Sequence, residues 1–131
     1  MTSERRSFDL VDVTYRDQTL VVTVAELLRG EPDGWIGTPL SVQPSSERFE
    51  LTFNWVTEFR STAEPCYTTD GTDLVISEYL SECVESDYAR QSCPFGGTPS
   101  GGARHFCVLT EFVIIEVLCL DSPTVRRLQA R

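Results

Sequence analysis

The fold is decided by the stretch Arg48-Phe-Glu-Leu-Thr-Phe-Asn-Trp55, in which apolar and polar side chains alternate. Its large apolar residues occupy every second position: Phe49, Leu51, Phe53 and Trp55. A strand with one buried and one solvated face produces this period of two, and such strands are typical of antiparallel sheets. We therefore predict one strand over residues 48–59, with Trp55 in the core.

Two further regions extend the predicted sheet. Residues 8–15 and 19–28 are rich in β-branched side chains and flank a short polar turn, so we predict a β-hairpin. Residues 104–120 are also β-prone, but the apolar run at 110–119 is compatible with either a strand or a helix. Short strands are expected at 40–43 and 74–76.

The pattern changes over residues 77–90, where we predict a helix. Ser77 is a suitable N-cap, and apolar side chains recur at a spacing of four: Leu80, Val84 and Tyr88. Glu78, Glu82 and Glu85 fall on the opposite side of this helix. The predicted fold is α+β: an antiparallel, β-rich sheet of about five to seven strands with one main helix, at about 77–90, packed on it. Residues 1–131 form a single domain, with frayed termini at 1–6 and 126–131 and a mobile, glycine-rich loop at 91–103.

The charge balance indicates the class of partner. Twenty acidic residues against eleven basic ones, all arginine, give a net charge of −9, which disfavours nucleic acid and anionic membranes. No apolar run is long enough for a membrane span, and the N-terminus lacks a signal-peptide core, so a cytoplasmic protein is expected.

An acidic segment is the predicted partner-binding surface. Between Ser61 and Ala89 there are seven acidic residues and no basic one. They are Glu64, Asp70, Asp73, Glu78, Glu82, Glu85 and Asp87. The alternative is a solvated helix face without a partner. Trp35, in a loop rich in glycine and proline, either folds back as a plug or anchors the partner.

The five cysteines predict neither disulfides nor a metal. Their number is odd, and no Cys-x-x-Cys pair is present, so we expect reduced core residues. The closest approach to a ligand set is Cys83, Cys93, His105 and Cys107, whose spacing is irregular. His105 is the single histidine, and a catalytic Cys–His pair would have to include it.

No motif names a reaction, so the predicted function is binding. We expect a small acidic cytoplasmic protein that acts by protein–protein interaction, most concretely an immunity or antitoxin-type inhibitor of a basic partner. One alternative is a β-rich subunit or ligand-binding module of a larger assembly. The other is an enzyme that uses Cys93 or Cys107 with His105. No cofactor is predicted.

Overall fold

The structure is a computed structural model that describes residues 6–29, 40–64, 73–91 and 103–129. These residues form ten strands and one short helix, α1 (Asp87–Gln91), which lies between β7 and β8. In chain order, the strands are β1 (Phe8–Arg16), β2 (Thr19–Arg29), β3 (Leu40–Val42), β4 (Arg48–Phe53), β5 (Val56–Ala63), β6 (Asp73–Ser77), β7 (Leu80–Cys83), β8 (Arg104–Leu109), β9 (Val113–Cys119) and β10 (Thr124–Leu128).

The first five-stranded sheet, sheet one, has the order β1-β2-β4-β10, and β3 pairs with the end of β2. The predicted hairpin is confirmed, because β1 and β2 pair antiparallel up to Arg16 and Thr19. Asp17 and Gln18 between them have φ values of 52° and 64°. Two adjacent residues with positive φ are what a two-residue type I′ hairpin turn requires, and this turn matches the twist of the strands.

The second sheet, sheet two, has the order β5-β9-β8-β7-β6 and is antiparallel throughout. Its centre is the hairpin of β8 and β9, in which Leu109 pairs with Ile114. The structure therefore resolves the ambiguous run at 110–119 in favour of a strand. The prediction of antiparallel sheet structure is confirmed.

The two sheets bury one shared core. Sheet one contributes Phe8, Leu20, Val22, Val24, Leu51 and Phe53. Sheet two contributes Leu80, Phe106, Val108, Ile115, Val117 and Cys119, among others. The rings of Phe53 and Phe106 meet across the interface with their centroids 6.0 Å apart. Each fully buried side chain of this size stabilises the fold by roughly 1.5–3 kcal/mol, so the interface between the sheets holds the molecule together.

The prediction of one strand over 48–59 is wrong, as is the placement of Trp55 in the core. β4 ends at Phe53, and the chain enters the other sheet at Val56. Trp55 lies at this crossing with a φ of 54° and is 56% exposed. A bend between sheets leaves no trace in an alternating pattern, because the pattern records only which side chains are apolar.

The predicted helix at 77–90 is also wrong, and with it the α+β fold class. Residues 80–83 form β7, between β6 and β8, and the helical part is limited to the five residues of α1. A spacing of four fits a helix, but it also fits a strand, because residues four apart share a strand face as well. The stripe of Leu80, Val84 and Tyr88 therefore could not distinguish the two structures.

Both ends of the described chain are tied into the fold. Arg126–Leu128, expected in a frayed end, belong to β10 and pair with β4. The predicted mobile loop at 91–103 lies outside the described residues, apart from Gln91 and Ala103.

None of the helical structure found in the described ranges has the length and apolar character that a membrane crossing needs.

Candidate functional site

The predicted acidic surface does not form one face. Glu78, in the turn between β6 and β7, accepts a hydrogen bond from Arg6 Nε at 2.8 Å. Glu82, on β7, binds Arg104 through two hydrogen bonds of 2.8 and 2.9 Å. Asp87 pairs with Arg90 on α1. Three of the seven predicted carboxylates are therefore neutralised by arginines.

The other predicted residues are scattered. Glu64 and Glu85 are exposed, whereas Asp73, at the start of β6, is half-buried. Asp70 and Trp35 lie outside the described residues. The acidic segment is therefore a property of the sequence that the fold divides among the end of β5, the strands β6 and β7, the turn between them, and the region before and at the start of α1.

One open depression nevertheless collects acidic side chains, and we call it the acidic groove. It has a volume of about 280 Å³ and is lined by Glu64, Glu78, Glu111, Arg6 and Val75, among others. The Arg6 guanidinium also lies 3.5 Å from both Glu26 and Glu47. The hydrogen bond to Glu78 raises the pKa of Arg6, so this side chain stays charged. Because one cation faces several carboxylates, the groove is negative.

An apolar edge strand borders the groove. β6 is the last strand of sheet two, and among the described ranges no strand pairs with its outer edge. Leu74, Val75 and Ile76 are 56%, 68% and 49% exposed. Three consecutive exposed apolar residues on an edge strand are unusual, since unpaired edges invite pairing with another chain.

A second candidate site is a buried polar cluster on the outer face of sheet two. His105 and Cys107 alternate with core residues along β8, so both point away from the shared core. Cys107 pairs in register with Glu116 on β9. His105 Nε2 lies 3.0 Å from Glu116 Oε1 and 3.6 Å from Cys107 Sγ. All three residues are at most 3% exposed.

Two further side chains complete the polar cluster. Ser86 Oγ, just before α1, lies 2.6 Å from His105 Nδ1 and also accepts the Ala89 N–H at 2.9 Å. Arg60 Nε, on β5, donates to Glu116 Oε2 at 2.6 Å. Both ring nitrogens of His105 are satisfied when the Ser86 hydroxyl donates to Nδ1 and the Nε2–H donates to Glu116.

The segment before and through α1 covers this cluster. The Tyr88 ring meets the His105 ring edge-on, with centroids 5.2 Å apart, and the Arg60 guanidinium lies 3.8 Å from the centre of the Tyr88 ring. Burial raises the pKa of Tyr88 to about 12. Within the described part of the chain, the buried Tyr88 hydroxyl has no hydrogen-bond partner, and neither does that of Ser81, which pairs in register with Cys107.

The polar cluster differs from the ligand set that the sequence suggested. His105 and Cys107 do meet, and Cys83 lies beside His105 in the sheet register, but Cys93 is outside the described residues. Sequence reasoning missed Glu116, Ser86 and Arg60. Glu116 carried the clearest signal, because a lone carboxylate interrupts an otherwise apolar strand, and buried charges are rare unless they are paired.

The arrangement permits proton sharing and metal ligation, and it partly permits nucleophilic chemistry. Cys107 Sγ lies 3.6 Å from His105 Nε2, but this nitrogen can act as a base toward the thiol only in the tautomer that is protonated at Nδ1. Both groups are buried, however, so a substrate could reach them only after the covering segment moves. Cys119, on the core side, is a separate case: burial raises its thiol pKa to about 12 and keeps it protonated.

Comparison with known proteins does not narrow these possibilities. No protein-family model matches the chain, and no curated protein or solved structure matches it either. A two-sheet fold serves many functions, so function depends on the chemistry of the two candidate sites.

Proposed function

We propose that this chain is a small acidic cytoplasmic binding protein that acts by protein–protein interaction, most concretely an immunity or antitoxin-type inhibitor of a basic partner. One observation carries the proposal: the exposed apolar edge of β6 runs beside the acidic groove. An apolar strand edge next to a negatively charged groove is suited to a partner that carries apolar and cationic side chains in the same short segment.

The edge of β6 supplies backbone groups for strand addition. An extended partner segment can pair with Asp73–Val75, while Leu74 and Val75 offer apolar contacts on opposite faces. The pairing of β6 with β7 shifts its register between Val75 and Ser77, so regular pairing ends there. The added strand is therefore short, and most of its selectivity has to come from side chains.

The acidic groove supplies that selectivity. Glu64 and Glu111 are exposed, and no ion pair joins either of them to an arginine in the part of the chain that the structure describes. Their backbones are held in place, since Glu64 N–H donates to Phe112 O and Glu111 N–H donates to Phe8 O, at 2.9 and 2.8 Å. A lysine or arginine of the partner gains two carboxylates there that extend from an anchored backbone, and the net charge of −9 accelerates its approach.

A second copy of this chain is the competing occupant of the edge. Two molecules of net charge −9 repel each other, and their acidic grooves would come close together in such a pair. The charge therefore favours a cationic partner. Sedimentation of the chain alone tests the competing case, because self-association through β6 would make the mass depend on concentration.

The direct test uses a labelled octapeptide of alternating arginine and valine against the full chain. We expect the double variant Glu64→Gln/Glu111→Gln to slow association by about tenfold at low salt, and by less at high salt. The control Asp12→Asn/Asp121→Asn changes the net charge equally at exposed carboxylates that do not line the groove.

Two outcomes would overturn the proposal. Equal slowing by both double variants would mean that overall charge, and not the groove, attracts the peptide. Unchanged binding of a peptide with alternate backbone nitrogens methylated would exclude strand addition, because methylation removes the donors that pair with β6.

A further inference from the structure

The polar cluster on the outer face of sheet two has a second feature besides its hydrogen bonds. The ligating atoms of His105, Cys107 and Glu116 all lie within 4.8 Å of one another. They are a ring nitrogen, a sulfur and a carboxylate oxygen, which together are the donor types that bind Zn²⁺. We infer that these three residues form a binding site for a divalent transition-metal ion of the Zn²⁺ class.

The two distances from His105 Nε2 are close to those of a ligand set. Zn²⁺ is bound at about 2.0–2.1 Å by nitrogen, about 2.0–2.2 Å by oxygen and about 2.3 Å by sulfur, in tetrahedral geometry. Two tetrahedral ligands at such lengths are roughly 3.3–3.6 Å apart. The observed separations from His105 Nε2 are 3.0 Å to Glu116 Oε1 and 3.6 Å to Cys107 Sγ. These two separations differ from the tetrahedral values by at most a few tenths of an ångström, and Cys107 Sγ lies within 4.8 Å of the Glu116 oxygen, so a small closing movement of these two side chains admits the ion.

Outer contacts hold the ligands through the atoms that the ion does not use. Ser86 Oγ contacts Nδ1 of His105, which leaves Nε2 for the metal, and Arg60 holds Oε2 of Glu116, which leaves Oε1. Metal-binding histidines and carboxylates are usually oriented by such outer contacts. With the far nitrogen of His105 and the far oxygen of Glu116 occupied in this way, the atoms that remain are those that lie within 4.8 Å of Cys107 Sγ and of each other.

Binding requires the loss of one proton. The Cys107 thiol releases its proton to solvent as the sulfur–metal bond forms, and the proton of His105 moves from Nε2 to Nδ1. The hydrogen bond between Ser86 and His105 then reverses: Nδ1–H donates, and Ser86 Oγ accepts. The thiolate and the Glu116 carboxylate cancel the two positive charges of the ion, while Arg60, with its side chain half-exposed, remains solvated.

Three protein ligands leave a fourth tetrahedral position open for water or another small ligand. Ser81, beside Cys107 in the sheet register and 2% exposed, has a hydroxyl without a hydrogen-bond partner among the described residues. It is suited to hold a water molecule in that position. The sequence analysis predicted no metal because the spacing of Cys83, Cys93, His105 and Cys107 is irregular, and it did not consider Glu116, which comes from the neighbouring strand.

The test is titration of the reduced, chelator-treated full chain with Co²⁺, followed by Zn²⁺. We expect one Co²⁺ per chain, a thiolate-to-cobalt charge-transfer band, the intense visible bands of tetrahedral Co²⁺, and displacement of both by Zn²⁺. Cys107→Ser should abolish the charge-transfer band. The matched control Cys119→Ser removes a buried cysteine from the core side of the same sheet and should retain the band.

Two milder variants keep the inference testable if Cys107→Ser does not fold. Glu116→Gln should weaken Co²⁺ binding at least about 100-fold, and Ser86→Ala should weaken it about 10–100-fold without changing the band position. Circular dichroism verifies folding of each variant. Absence of the band in the folded wild-type chain, or equal affinity in wild type and Glu116→Gln, would overturn the site.

Discussion

The two central strands of sheet two, β8 and β9, are buried on both faces of the sheet. On the inner face, Phe106 and Val117 pack into the shared apolar core. On the outer face, His105 and Glu116 belong to the polar cluster and are just as inaccessible. Apolar packing is non-directional, whereas a buried hydrogen-bond network is stable only when each donor has its acceptor. The two faces should therefore respond to substitution by different rules.

The largest loss of stability is expected in the shared core, where it depends on the side-chain volume that a substitution removes. Phe53→Ala should lower the free energy of unfolding by about 3–5 kcal/mol, because Phe53 is fully buried and faces Phe106. Thr52→Ala, on the other face of β4, should cost less than about 1 kcal/mol. Urea unfolding of both variants measures the difference, and similar losses would contradict the assignment of the buried face.

On the outer face of sheet two, the loss of stability on substitution depends on which hydrogen-bond partners are removed, and side-chain volume matters little. Ser86→Ala should lower the free energy of unfolding by about 1–3 kcal/mol, since it leaves His105 Nδ1 and the Ala89 N–H without their partner. Ser81→Ala is the matched control: its hydroxyl has no partner in the described ranges, so stability should stay the same or rise. Both melts are run with a chelator, and an equal loss in the two variants would mean that the network contributes nothing specific.

The smallest effect at neutral pH is expected for Tyr88→Phe, whose difference appears only in alkali. Burial holds the Tyr88 pKa at about 12 against 10.0 in the unfolded chain. The unfolded state therefore loses its proton first, so this contribution is complete below pH 10 and is lost as the pH rises to about 12. The variant should retain more of its stability across that window than the wild type does.

Cys119 supplies the background for this measurement. Its pKa is raised from 9.0 to about 12, so the stability of both proteins should begin to fall above pH 9. Urea midpoints measured across the range from pH 9 to pH 12 separate the two contributions. Parallel curves for wild type and Tyr88→Phe would show that the phenol is not buried in the native state.

The same contrast explains which parts of the fold were predictable. The hairpin of β1 and β2 follows from local sequence, because apolar periodicity and a two-residue turn act over neighbouring positions. The prediction of a helix at 77–90 failed because helices and strands both place residues four apart on one face. Residues 80–83 form a strand because β6 and β8 pair with β7 on either side.

The candidate sites divide in the same way. The spacing of His105 and Cys107 predicts that both lie on one face of a strand, and the structure agrees. Glu116 joins them only because β9 pairs with β8 in one particular register, and a shift of one residue would turn it into the core. The acidic groove likewise draws Glu64, Glu78 and Glu111 from three separate elements.

By itself, then, the sequence determined the β-rich character of the chain, its first hairpin and its strong negative charge. These properties follow from composition and short-range periodicity, which do not depend on tertiary contacts. The tertiary structure alone decided that two sheets form, that Trp55 is exposed at the crossing between them, and that a serine, a histidine, a cysteine and a glutamate meet in a buried cluster. The physical reason is that strand pairing joins residues distant in sequence, and its register is selected by the burial of whole faces and not by any local pattern.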